Sequence, residues 1–382
     1  MELTVKQDQA LKLAVARYKA NEPYTCIAGY AGTGKSTLVQ FIIAALDIDP
    51  ERVAYISYTG KSARVLKNKG CPQAMTAHRF LYKSYMQKDG TFVNQPKYGL
   101  RAEYDLVVLD EASMLPEKMW ELLLSHRIHV LALGDPGQLK PVMGTSTILD
   151  QPHIFLDEIM RQAKESEIIR LSMDIRDGKL IKPYRGNEVN IVNKKDFCDG
   201  MLLWADQVLC GKNATRMNLN DHYRKLIWKD GQDLSAPLVG DRVICLANDW
   251  DVITPEGDAL VNGTIGKITR IGSKYVEKFG RFPAIDLQPD DTDEFKDLLI
   301  DWKLITEHEP TITKDNFKKY RKLRLEQFDY GYVVTGHKSQ GSEWSKVLVL
   351  EERLKGSKDD HIKWLYTCCT RPEEKLTLVL DD

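Results

Sequence analysis

Apolar side chains in the first twenty residues fall at Leu11, Val15 and Tyr18, with Ala10 and Ala14 between them, a spacing that predicts a helix. A β-prone run, Tyr24 to Ala28, then stops at Gly29. Ser36 to Leu46 returns to helical spacing, with Leu38, Phe41, Ile42 and Ala45 on one side. A strand at Val53–Ser57, a helix through Ala63, Val65 and Leu66, and buried strands at Leu106–Leu109 and Val130–Leu133 follow. Strands alternating with helices predict a parallel, doubly wound α/β sheet. Between Thr76 and Asp105 the alternation breaks, and Asp89-Gly90 between β-compatible arms predicts a hairpin insertion. A second α/β stretch begins after about residue 150, with a strand at Gln207–Cys210 and a helix at Asn218–Trp228. From Val239 the texture changes to short glycine-punctuated strands at 241–246, 263–269 and 283–287, which predicts a small inserted β-barrel. A basic helical run spans Lys314–Arg324, and strands return at 332–335, 346–350 and 376–380. The expected architecture is α/β: a first domain over 1–150 with a hairpin at 76–104, a second over 151–238 and 330–382, and a barrel over 239–329.

Composition narrows the class without changing that picture. The 382 residues are 43% hydrophobic and 29% charged, an ordinary globular balance for two or three domains. No run of eighteen apolar residues is present, which excludes a membrane-spanning helix. The N-terminal stretch lacks an apolar signal core, so export is not expected. Seven cysteines without a C-x-x-C spacing argue against a disulfide framework or a zinc site and fit a reducing cytoplasm, bacterial or phage-infected. A net charge of −1 excludes a uniformly basic nucleic-acid coat and leaves room for a local basic groove.

The chemistry is concentrated in Gly29-Tyr30-Ala31-Gly32-Thr33-Gly34-Lys35-Ser36-Thr37, which fits G-x-x-x-x-G-K-[ST] between a strand and a helix. Glycines allow backbone N–H groups to turn inward around phosphate oxygens, and the helix N-terminus adds its positive end. Lys35 would reach the β- and γ-phosphates and Ser36 would hold Mg²⁺. The strand Leu106–Leu109 runs into Asp110 and Glu111: Asp110 would bind Mg²⁺ through water, and Glu111 would orient or deprotonate the attacking water. Adjacent acidic residues favour hydrolysis over phosphoryl transfer to a substrate hydroxyl, so the residues alone suggest a Mg²⁺-dependent ATPase.

Further segments resemble superfamily 1 helicases. Leu133 to Val142, with Gln138 just past a buried strand, is similar to their motif III, where the glutamine reports on the γ-phosphate. The remaining segments resemble the RecD and Dda branch, the 5′-to-3′ DNA helicases. Gln7 resembles the glutamine that reads adenine in that family, with Gln9 the competing position. Tyr58–Ala63 resembles motif Ia, and Thr76–Phe80 the DNA-contact motif after it. Phe155–Gln162 resembles the arginine segment of motif IV, Tyr332–Trp344 motif V, and Leu365–Arg371 motif VI. Asp241-Arg242-Val243 and Asn262–Gly266 resemble the family's Src-homology-type barrel. The segments keep family order over nearly the whole chain. The departures are Pro372 after Arg371, and Ser62 where the family often has alanine.

The resemblance implies two RecA-like lobes around one ATP and Mg²⁺. Gly341 and Glu343 join the nucleotide site, and Arg161 and Arg371 meet the γ-phosphate. It implies single-stranded DNA held by Thr59, Lys61, His78 and the His337-Lys338-Ser339-Gln340 segment. Phe80 and Trp344 are base-stacking candidates, or else core aromatics. The Tyr82–Tyr98 hairpin is a strand-separating pin or a plain surface hairpin. The implied partners are single-stranded DNA and forked or tailed duplex DNA, with single-strand-binding, replication or recombination proteins as further ones. The implied form is a monomer that engages no membrane, working in DNA replication, recombination or repair. A translocase that strips proteins from DNA, an ATP-inactive DNA-binding module and an RNA track stand as alternatives.

Overall fold

In a computed structural model, the first sheet is assembled from six parallel strands. The chain runs α1 (Val5–Lys19), β1 (Tyr24–Gly29), α2 (Lys35–Leu46), β2 (Val53–Ser57), α3 (Gly60–Asn68), β3 (Met75–Thr76) and α4 (Ala77–Leu81). It continues through β4 (Tyr82–Met86), β5 (Phe92–Pro96), β6 (Leu106–Asp110), α5 (Glu117–Ser125), β7 (His129–Gly134) and β8 (Ile154–Leu156). The strand order is β3-β2-β6-β7-β1-β8, with β4 and β5 paired apart from it. The structure describes residues 3–381 except 69, 87–91, 140–146, 161–164, 229–230, 256–258, 291 and 321–322. The expected Asp89-Gly90 turn therefore lies outside the described residues.

The central strands are continuous apolar runs because both faces are covered. Successive side chains point to opposite faces, so Ile27, Leu106, Val108, Leu131 and Leu133 pack with Leu38 and Ile42 of α2 and with Ala10 and Ala14 of α1. Cys26, Ala28, Val107, Leu109, Val130 and Ala132 pack on the other side with Phe80, Trp120 and Leu123. This register leaves the carboxyl ends of β1, β6 and β7 side by side, where open α/β sheets place their ligands.

Contacts divide the chain into two compact units. One comprises Met1–Ser84, Asn94–Phe197 and Ser339–Asp382; the other comprises Tyr85–Val93 and Cys198–Lys338. The first unit also holds the helix Glu167–Arg176, which packs on the helix Lys358–Cys369. In the same unit the strand Pro372–Leu380 lies parallel to both Val189–Asn193 and Trp344–Leu350.

In the second unit, Gln207–Cys210 pairs in parallel with Val333–Thr335 beside the helix Asn213–Ile227. Five strands then form an antiparallel sheet in the order Phe295–Leu299, Gly280–Pro289, Ile265–Val276, Arg242–Cys245 and Phe328–Tyr330. A bridge between Ile300 and Glu326 joins its two ends, so the sheet closes on itself as the expected small barrel. Gly266 lets Ile265–Val276 lie close against Gly280–Pro289, since a Cβ there would lie 2.5 Å from the Gln288 carbonyl oxygen. Several expected elements change in length. The strand begun at 263–269 runs on to Val276 as one arm of a long hairpin, the helix expected from Asn218 starts at Asn213, the strand expected from 376 starts at Pro372, and among the described residues of the basic run the helix spans Phe317–Tyr320. The polar groups of this unit converge on Asp241. Its fully buried carboxylate accepts from Arg224, Trp228 Nε1, the Tyr332 hydroxyl and the Leu238 N–H.

Candidate active site

The phosphate loop follows from what glycine alone tolerates. Gly32 and Gly34 both have φ of +75°, in the left-handed region. A Cβ at Gly34 would sit 2.6 Å from Gln7 Nε2, and one at Gly29 would sit 2.7 Å from Thr33 Oγ1. The Thr33 hydroxyl donates to the Tyr30 carbonyl at 2.8 Å and draws the loop into a ring. Lys35 Nζ donates inward to the carbonyls of Gly29 (2.6 Å) and Tyr30 (2.9 Å). Gly34 is the N-cap of α2, so the first N–H groups of that helix, from Lys35 onward through Ser36 and Thr37, have no intrahelical acceptor. Such a terminus favours an anion.

Asp110 closes β6, and Glu111 follows at φ +52°, an uncommon conformation for a side-chain-bearing residue. The Glu111 N–H donates to Asp110 Oδ1 at 2.9 Å, which fixes the two carboxylates relative to each other. Burial, and then the Asp110 charge, push the Glu111 carboxyl up to about 7; Arg371 and Lys35 oppose the shift and Asp135 adds to it. A carboxyl titrating there is suited to accepting a proton from water. At the end of β7 the chain turns through Asp135 to Leu139, presenting Gln138.

These ends open into a cavity of about 330 Å³. It gathers Ala31 to Thr37, Asp110, Glu111, Gln138, Gly341, Glu343 and Arg371, together with Ser62, Asp135 and Thr370. Arg371 is almost fully buried, donating to the Thr367 carbonyl at 2.9 Å and to Thr370 Oγ1 at 3.0 Å. Ser36 and Asp110 offer hard oxygen donors of the type Mg²⁺ prefers. Gln7 supports the loop from behind rather than lining the cavity: it completes a capping box with Thr4, and its Nε2 donates to the Thr33 carbonyl at 3.0 Å. Gln9 is exposed. Arg161 lies outside the described residues, as do Pro141 and Val142 of the motif III-like segment.

The DNA candidates are dispersed. Thr59 and Ser62 share a hydroxyl contact of 2.6 Å, and Gly341 (φ +72°) approaches Ser62 so closely that a Cβ there would overlap its Oγ. Lys61 Nζ stands 4.5 Å from the centre of the Trp344 ring, a cation–π distance, and Trp344 is buried. His78 is half-buried against Tyr82, and burial lowers its pKa. Phe80 is 1% exposed and packs near Tyr104, which puts its ring in the core with no face for a base. Ser339 and Gln340 are buried, with Gln340 Nε2 donating to the Leu139 carbonyl at 2.9 Å. His337 and Lys338 belong to the second unit, and burial lowers the pKa of both. Sequence reasoning assigned no role to Tyr366, Thr367 or Asp135, although all three bond around the turn that carries Gln138. Only the motif VI resemblance could have pointed to the first two.

Residues 2–197 match the family model described as AAA domain, and residues 330–379 match a UvrD-like helicase C-terminal domain. The ATP-dependent DNA helicase dda of phage T4 is 24% identical over 274 residues, covering 64% of this chain and 61% of that protein. The ATP-dependent RecD2 DNA helicase of Deinococcus radiodurans is 25% identical, covering 91% of this chain and 46% of that one. The chain thus spans less than two thirds of the length of either relative. A crystal structure of Pif1 helicase from Bacteroides in complex with ADP-AlF3 and single-stranded DNA superposes with a TM-score of 0.57, at 17% identity over 100% of this chain and 95% of that one. That likeness is one of fold.

Proposed function

Since the chain belongs to the AAA domain family, whose model covers more than half of it, we propose that it is an ATP-dependent DNA helicase that moves 5′-to-3′ along single-stranded DNA. The observation that carries this reading is the cavity where the phosphate loop, the Asp110–Glu111 pair, Gln138, Gly341 and Arg371 line one space. Helicases named among its relatives supply the substrate class, and the direction rests on resemblance to the RecD and Dda branch.

The α2 N-terminus and Lys35 bind the triphosphate. Ser36 and Asp110 would hold Mg²⁺, which would neutralise charge on the phosphate oxygens. Glu111 takes a proton from water as the water oxygen bonds to the γ-phosphorus, and the bond to the ADP oxygen breaks. Gln138 contacts the γ-phosphate or the attacking water, and Arg371 supplies positive charge against the charge that develops there, with Arg161 as a second arginine. Gln7 holds the loop that receives the nucleotide. Thr59, Lys61, His78 and the His337–Gln340 segment are the candidate DNA contacts. Division into motor domains over 1–150 and over 151–238 with 330–382, and an inserted barrel over 239–329, is part of the same proposal.

Strand displacement from duplexes with a 5′ or a 3′ single-stranded tail tests it, with Lys35→Ala as the control. Displacement from the 5′ tail alone is expected, with ATP hydrolysis stimulated by DNA and lost in Lys35→Ala. Displacement from the 3′ tail alone discards the direction. ATP hydrolysis indifferent to both DNA and RNA discards the helicase reading.

A further inference from the structure

Tyr366 lies near the end of the helix Lys358–Cys369, and its side chain is 1% exposed. Its hydroxyl accepts from the Ala31 N–H in the phosphate loop at 3.0 Å and donates to Asp135 Oδ2 at 2.6 Å. The other oxygen of that carboxylate accepts from the Gly137 N–H at 2.8 Å, one residue before Gln138. Burial, followed by the Asp135 charge, pushes the phenol well above its usual range, so at neutral pH the oxygen keeps its proton and can donate. The ring meets the turn as well, since a Cβ on Gly137 would lie 3.1 Å from Tyr366 Cε1. One residue on, Thr367 Oγ1 accepts from the Leu139 N–H at 3.0 Å, and Gln340 holds the carbonyl of the same residue. The turn bearing Gln138 is therefore gripped at both ends, and Tyr366 ties it to the phosphate loop as well.

We propose that Tyr366 is a positioning residue for ATP hydrolysis: its hydroxyl sets the spacing between the phosphate loop and the turn that presents Gln138, and acts on turnover through Gln138. This rests on the ATPase reading above. Phenylalanine keeps the ring and strands two buried polar groups, the Ala31 N–H and one oxygen of Asp135. Lys35, which with the α2 N-terminus is expected to carry nucleotide affinity, bonds to the Gly29 and Tyr30 carbonyls rather than to Tyr366. The loss should therefore fall on kcat and leave KM for ATP nearly unchanged.

The test uses the full chain with Tyr366→Phe, Gln138→Ala and the double variant. Tyr366→Phe alone is expected to lower kcat about 10-fold with KM for ATP within about 3-fold, and to cost nothing further in the Gln138→Ala background. An equal loss in both backgrounds, or a loss in KM alone, overturns the proposal, as does a Gln138→Ala variant with full turnover. Should Tyr366→Phe not fold, Thr367→Val probes the same grip, with the same non-additivity expected. Hydrogen exchange over Asp135–Leu139 is independent of turnover and is expected to quicken in Tyr366→Phe; unchanged exchange refutes the grip even in a protein without ATPase activity. Absence of ATP hydrolysis in the unmodified protein would instead count against the proposed function.

Discussion

Glu326 provides a test of the barrel that needs no assumption about activity. It sits where the sheet closes: its N–H donates to the Leu299 carbonyl at 2.7 Å, and its own carbonyl accepts from the Asp301 N–H at 2.9 Å. Its side chain is 7% exposed, and burial pushes the carboxyl up to about 8; the charge of Asp249 and a hydrogen bond to it add to the shift, and Arg324 opposes it. Arg324 is itself shared between Asp249 and Asp251. The nearby Cys245 thiol, pushed up to about 12 by burial, stays neutral. The folded chain therefore retains a proton that the unfolded chain releases near the ordinary value of 4.5. Stability from this group is full below that value and is lost as pH rises through about 8. At 1.36 kcal/mol per pH unit over most of that window, raising the pH from about 6 to about 8 should cost about 2 kcal/mol. Urea unfolding at the two pH values measures it directly. Glu326→Gln keeps a donor toward Asp249 without a titrating proton, and its stability should be flatter across the window by that amount. If the variant and the unmodified protein lose the same stability, Glu326 does not carry the buried proton and the account of the seam is wrong.

Two further outcomes follow from single groups. Asp241 carries the convergent network of the second unit, so Asp241→Ala, which leaves the buried Arg224 guanidinium without its carboxylate, should cost about 3–5 kcal/mol in urea unfolding; a cost under about 1 kcal/mol would mean that the network adds little. Glu111→Gln should lower kcat for ATP by about 10²–10⁴ while a fluorescent nucleotide binds as before, and near-normal turnover would move the base elsewhere.

Legibility tracked how local each constraint is. The strand Leu106–Asp110 was readable because burial on both faces makes it uniformly apolar, and the phosphate loop because positive φ and close approach are glycine's own signature. Ile154–Leu156 and Met75–Thr76 escaped detection because two or three residues carry no period. Val189–Asn193 reads Val-Asn-Ile-Val-Asn, without strict alternation and with two asparagines, a residue depleted in strands, and its pairing with Pro372–Leu380 and Tyr184–Arg185 makes it one. The basic run near Lys314 has helical composition, yet Thr311 and Asn316 bind back to Asp301 and to the Thr311 carbonyl and spend that stretch on a cap-like loop. Tyr366 and Ala31 are 335 residues apart, and no spacing rule connects them.

The candidate DNA contacts teach a different lesson, because polar residues in a motif have two masters. A buried polar group must find a partner within the protein whether or not it ever meets a ligand. Gln340 reads as a DNA contact by resemblance, yet its amide is engaged with Leu139, next to the glutamine proposed to contact the γ-phosphate. Lys61 reads as a phosphate contact, yet its ammonium stands over Trp344, and Thr59 and Ser62 bond to each other beside Gly341. Three of the side chains proposed as DNA contacts, Thr59, Lys61 and Gln340, thus contact segments that line the nucleotide cavity. A phosphate that drew Lys61 off Trp344, or a base that displaced Gln340, would have to break a bond reaching those segments. Under the proposed function, that exchange of contacts would be a route from bound DNA to ATP turnover.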